Sequence, residues 1–113
     1  MSVPAGQLLH PLADAAAGEQ TTPLLDLATP RAWLRIERIV SAGQASPEGF
    51  WYDQDHGEFV LLLAGSAALR IERERRAREL VPGDYVFLPP HCRHRVERSS
   101  ADPPAVWLAL HLA

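Results

Sequence analysis

The stretch Gly49-Phe50-Trp51-Tyr52-Asp53-Gln54-Asp55-His56-Gly57-Glu58, followed after six residues by Gly65, carries most of the fold information in this chain. Its partner is Pro82-Gly83-Asp84, with Pro89 and His94 downstream. In both segments a turn residue stands beside a short apolar run. Gly65 and Pro82-Gly83 supply the positive or preset φ that a sharp reversal between antiparallel strands needs. Asp84 is placed to accept hydrogen bonds from turn amides.

Working outward, short runs recur between breakers. Phe50–Gln54, Glu58–Ala64, Ala67–Arg73, Ala77–Val81, Tyr85–Leu88, Arg93–Arg98 and Ala105–Leu112 are separated by Gly57, Gly65, Pro82-Gly83, Pro89-Pro90 and Pro103-Pro104. Many short strands at such spacing predict a closed all-β barrel or sandwich. Upstream, Leu34, Ile36 and Val40 read as a further strand ending in the Ser41–Gly49 loop. Residues 1–31, rich in Ala and broken by Pro4, Pro11, Pro23 and Pro30, read as a partly ordered N-terminal arm. One or two helical turns over Leu12–Ala17 are expected there, and the barrel domain takes residues 32–113.

Phe59-Val60-Leu61-Leu62-Leu63 is apolar on both faces. If its even positions fill the barrel, Phe59, Leu61 and Leu63 need cover from the arm or from a second subunit. A homodimer is therefore expected. The Arg70–Glu79 segment interleaves both charges around a turn and reads as a solvated hairpin.

The 113 residues suit one domain with a modest core. A net charge of −3 gives no basic face for nucleic acid. All eleven basic residues are arginines, so Schiff-base chemistry and a P-loop lysine are excluded. Cys92 is the only cysteine, so no intrachain disulfide forms. No basic n-region with a long apolar stretch opens the chain, and its longest apolar run is too short to cross a bilayer. A cytoplasmic protein is expected, without a membrane or nucleic-acid partner.

The two segments together resemble the paired motifs of the cupin superfamily, and the wording around them resembles small single-domain bacterial cupin-2 proteins. Glu58 and Gly65 match the end of the first motif; Pro82, Gly83, Asp84, Pro89 and His94 match the second. The resemblance covers residues 32–112 and implies a double-stranded β-helix, or jelly roll, with its site in the barrel mouth. It implies Glu58 and His94 as site residues. In metal-binding members, two histidines one residue apart precede the Glu. Here those positions fall on Trp51 and Asp53, or on Tyr52 and Gln54 if the turn is one residue shorter. Neither pair supplies imidazole.

Two readings of His56 stand. On a strand it shares a face with Glu58, two residues on, and joins Glu58 and His94 in holding a divalent ion. Otherwise it lies in the turn at Gly57 and faces solvent. Trp51, Tyr52, Asp53, Gln54 and His111 are the expected ligand-pocket residues, with one of the two aromatics facing inward. His91 reads as a loop residue at the barrel lip and Cys92 as a buried filler.

The function expected is binding of a small polar molecule in the barrel mouth. No cofactor is firmly implied; a weakly held Zn, Fe, Mn or Ni is the one candidate. Two enzyme readings stand beside it. One is a metal-dependent dioxygenase, isomerase or lyase using His56, Glu58 and His94. The other is metal-free acid–base catalysis by Glu58 and His94.

Overall fold

The computed structural model describes residues 3–10, 12 and 15–113. Eight strands form two sheets: β1 (Gln20–Ala28), β2 (Trp33–Ser41), β3 (Gly57–Ala64), β4 (Ala67–Ile71), β5 (Arg78–Leu80), β6 (Tyr85–Leu88), β7 (His94–Ser99) and β8 (Ala105–Leu112). One sheet has the order β1-β2-β8-β3-β6 and the other β5-β4-β7. Every pairing is antiparallel. Among the described residues there is no helix, and none long and apolar enough to cross a membrane.

The period-two pattern places the core between the sheets. Val60 and Leu62 of β3, Leu69 of β4, Leu80 of β5, Val86 and Leu88 of β6 and Trp107 and Ala109 of β8 form one buried cluster. Gly65 makes the β3–β4 reversal possible. It sits at φ +75°, and a Cβ there would lie 2.5 Å from the Pro104 carbonyl oxygen.

Residues 20–28, read from sequence as arm, form β1 and pair with β2 along its length. Pro23 breaks the apolar pattern of this segment. Its missing N–H is tolerated because β1 is an edge strand, and the register shifts between Pro23 and Leu25. The expected helical turns at Leu12–Ala17 lie partly outside the described residues; what is described there is a turn closed by Gly18 N–H on the Ala15 carbonyl. The expected Phe50–Gln54 strand is reduced to one bridge, Tyr52 to His94. The arm does cover one end of the outer sheet face, where Ala15 and Leu12 pack on Val40, Val106 and Leu63. Phe59, Tyr85, Phe87 and Leu112 lie beyond it; Phe59 stacks on Tyr85, and Phe87 stays half exposed.

Candidate functional site

The loop before β3 is pinned over the open end of the barrel. Tyr52 and His94 exchange backbone hydrogen bonds at 2.8 and 3.2 Å, and His91 N–H donates to the Gln54 carbonyl at 2.6 Å. His91 takes φ 62°, the left-handed conformation that usually falls to glycine. Its Nδ1 lies 2.9 Å from Asp53 Oδ1, which ties the two lip loops together. Held this way, the loop alternates. Tyr52 and Gln54 point into the barrel, while Asp53 is engaged outside with His91. Trp51 also lies outside, its ring between Arg93 and Arg95 at 5.9 and 6.0 Å.

The resulting cavity holds about 220 Å³. Its polar wall is Tyr52, Gln54, Glu58, His94, His111, Glu37 and Glu19, and its apolar wall includes Val60, Leu88 and Trp107. Tyr52, Gln54, Glu58, His94 and His111 are thus brought together, and Trp51 and Asp53 are not. Glu37 and Glu19 were absent from the sequence reading. The signal for Glu37 was its phase: it sits on the inward face of β2 between Arg35 and Ile39, where a carboxylate needs a partner. Glu19 precedes a strand that the prolines concealed.

Glu58 is the hub. Gln54 donates its side-chain amide to Glu58 Oε1 at 2.7 Å. His94 Nε2 stands 3.9 Å from Oε1, and His111 Nε2 stands 3.9 Å from Oε2. The His94 ring stacks on Tyr52 at 5.2 Å and 20°. Its Nδ1 lies 2.9 Å from the Cys92 carbonyl oxygen, so Nδ1 carries the hydrogen and a neutral ring turns the Nε2 lone pair toward the cavity. That nitrogen is an acceptor with no hydrogen-bond partner among the described residues.

His111 Nε2 bonds Glu37 Oε1 at 2.8 Å, and its Nδ1 meets His56 Nε2 at 3.0 Å. His56 is largely buried against Trp33, neither solvent-facing nor turned to Glu58. Glu19 accepts from Ser41 Oγ at 2.9 Å. Burial pushes the Tyr52 hydroxyl above the usual phenol value, and the Glu19 and Glu58 carboxylates add to the shift. Tyr52 is therefore a proton-bearing donor at neutral pH.

The metal reading fails on this geometry. Of the four positions that carry ligands in metal-binding cupins, two hold Tyr52 and Gln54, and the Gln54 amide already occupies Glu58. His56, the expected third ligand, is bonded to His111. Among the described residues no three His, Cys, Asp or Glu side chains are placed to share an ion.

Residues 38–111 match the family model for the cupin domain of the Cupin_2 type. The crystal structure of a "putative mannose-6-phosphate isomerase" from Ralstonia eutropha JMP134 superposes with TM-score 0.87 at 43% identity, covering 95% of each chain. A Thermus thermophilus protein superposes with TM-score 0.71 at 20% identity, covering 96% of each. KdgF from a Halomonas species does so with TM-score 0.68 at 20% identity, covering 90% of this chain and 86% of its own. These last two bear on fold alone. No functionally curated protein matches. With its family model spanning most of the jelly roll, the chain belongs to the cupins.

Proposed function

We propose that this cupin binds a small polar molecule rich in hydrogen-bond donors, uncharged or cationic, in the mouth around Glu58 and His94. The observation that carries this is the set of acceptors converging on one cavity. The Glu58 carboxylate, the His94 Nε2 lone pair and the Glu37 and Glu19 carboxylates all line it. No arginine is in the lining, and the chain has no lysine. Apart from the Tyr52 hydroxyl this wall accepts, so a ligand must mainly donate, as hydroxyls and ammonium groups do. At about 220 Å³ the space lies below the ~300–1,000 Å³ usual for drug-sized ligands, so the ligand is of monosaccharide size or smaller. Tyr52 and Trp107 give it flat apolar walls.

The Ralstonia protein's description names a phosphosugar, and a sugar's hydroxyls suit this mouth. A phosphate dianion does not, because three carboxylates face it, no arginine lines the cavity, and Arg35 is paired with Glu37. Isothermal calorimetry with mannose, mannosamine and mannose 6-phosphate tests the reading. Mannosamine should bind at least as well as mannose, and the phosphate weakest. Tightest binding of the phosphate would refute it.

A second reading is favoured by one feature. The Cys92 carbonyl fixes His94 in the tautomer whose Nε2 accepts a proton, beside a carboxylate 3.9 Å away. That pairing suits metal-free acid–base chemistry on a hydroxy-carbonyl compound. Deuterium exchange at the carbon next to a sugar carbonyl, abolished in His94→Ala, would favour it over simple binding.

A homodimer is also proposed. Phe59, Tyr85, Phe87 and Leu112 form an apolar face on the outer sheet that the described residues of the arm leave uncovered, and a second copy of that sheet supplies matching cover.

A further inference from the structure

A second cleft adjoins the mouth. It holds about 190 Å³ and is bounded by Gln44, Ala45, Ser46 and Pro47 of the loop between β2 and β3. Glu19, Tyr52 and Val96 border both the cleft and the mouth, so the Tyr52 side chain stands between two spaces of similar size.

The loop wall of the cleft is fixed. Ser46 N–H donates to the Val96 carbonyl at 2.8 Å, and Val96 N–H donates to Ser46 Oγ at 3.0 Å. The Arg95 guanidinium donates to the Ser46 and Pro47 carbonyls at 3.1 and 3.2 Å. Gln44 gives its side-chain amide to the Ala15 carbonyl and accepts from Ala42 N–H, both at 2.6 Å. A wall held this way needs little further ordering when a molecule binds.

The groups left for a ligand are mixed. Ser46 Oγ has accepted from Val96, and its own hydrogen meets no acceptor among the described residues. The Tyr52 hydroxyl keeps its proton at neutral pH. Glu19 takes Ser41 Oγ on one carboxylate oxygen, and the other is uncommitted among the described residues. Around these lie the Pro47 and Tyr52 rings and the small apolar side chains of Ala45 and Val96. Two donors and one acceptor between flat apolar surfaces complement a pyranose ring, which has a C–H face and a rim of hydroxyls.

We propose that the cleft is a second sugar subsite, and that the ligand is a disaccharide: one unit is enclosed in the mouth and the other passes Tyr52 into the cleft. This rests on the sugar reading of the mouth, whose size limit then applies to the enclosed unit alone. The two spaces select differently. The mouth is walled mainly by acceptors and accommodates an ammonium group, whereas the cleft offers donors as well and suits an uncharged unit.

Calorimetry on the full chain with mannose and a panel of mannobioses covering every glycosidic linkage tests this. At least one mannobiose should bind about 10-fold tighter than mannose, as two further neutral hydrogen bonds imply. Ala45→Trp fills the cleft from an exposed loop position that does not line the mouth. In that variant the mannobiose gain should vanish while mannose affinity is unchanged, which also shows the fold intact. Pro47→Ala, a milder change, should remove part of the gain. A gain that survives both variants would overturn the proposal, as would equal weakening of mannose and mannobiose by both. Mannose bound as tightly as every mannobiose would overturn the second subsite and leave the mouth reading standing; no binding by any of these sugars would overturn both.

Discussion

The Gln54 side-chain amide donates to Glu58 Oε1 at 2.7 Å, across the turn that carries His56. Gln54 and Tyr52 stand at the two first-motif positions where metal-binding cupins place histidine. A neutral amide thus satisfies one oxygen of a carboxylate that is 7% exposed. Buried carboxylates need such partners, because an unpaired charge there is strongly disfavoured.

Restoring the missing imidazoles should change what Glu58 holds. The natural chain is expected to retain well under one equivalent of transition metal after dialysis against a chelator. The double variant Tyr52→His, Gln54→His should gain a site of three imidazoles and one carboxylate and approach one equivalent of Zn or Ni. Elemental analysis of both proteins reads this directly; equal metal content would contradict it.

Two glycines with positive φ should respond differently to alanine. Gly83, at φ +97°, has nothing within 4 Å of a built Cβ, so Gly83→Ala should cost only backbone strain, about 1–2 kcal/mol. At Gly65 the same strain is joined by a backbone oxygen 2.5 Å away, and roughly 3 kcal/mol or more is expected. Urea unfolding of the two variants should rank them in that order.

The Tyr52 hydroxyl predicts a stability slope in alkali. An unfolded tyrosine ionises at about pH 10. Above that pH the unfolded chain releases a proton that folded Tyr52 keeps, because burial and the Glu19 and Glu58 carboxylates raise its value. The folded state then binds more protons, so stability falls as pH rises through that window and is unaffected below it. Tyr52→Phe should flatten this part of the slope in urea midpoints; identical slopes would exclude the assignment.

The outer sheet face predicts self-association. Sedimentation equilibrium should give a dimer, weakened by Phe87→Glu, since Phe87 is half exposed at the edge of that face. A monomer at all concentrations would show that the face stays bare.

Much of the barrel was legible because its turns are written in Gly and Pro. Tyr85–Leu88 and Ala105–Leu112 have the bounds that their breakers imply, and β3 starts only one residue earlier than expected, at Gly57. β1 was hidden for a physical reason. Pro23 is unfavourable in a strand except at an edge, and edge position is a property of the sheet rather than of the local sequence. The same limit governed the site. Tyr52, Gln54, Glu58 and His94 lie in or near the motifs, but the inward phase of 52 and 54 over 51 and 53 depends on the bridge to His94. Glu37 and His111 meet only because β2 and β8 pair, and Glu19 arrives only because β1 forms. Hydrogen bonds across such long separations have no local signature.

Glu58 and His94 are proposed to receive a donor-rich, non-anionic ligand. Calorimetric titration of mannose, mannosamine and mannose 6-phosphate into the natural protein and Glu58→Gln tests it most directly. The phosphate should bind weakest to the natural protein. Glu58→Gln should weaken mannosamine by about 10- to 100-fold, as loss of a charged hydrogen bond of ~1.5–3 kcal/mol implies. Tightest binding of the phosphate, or mannosamine affinity unchanged in Glu58→Gln, would contradict it.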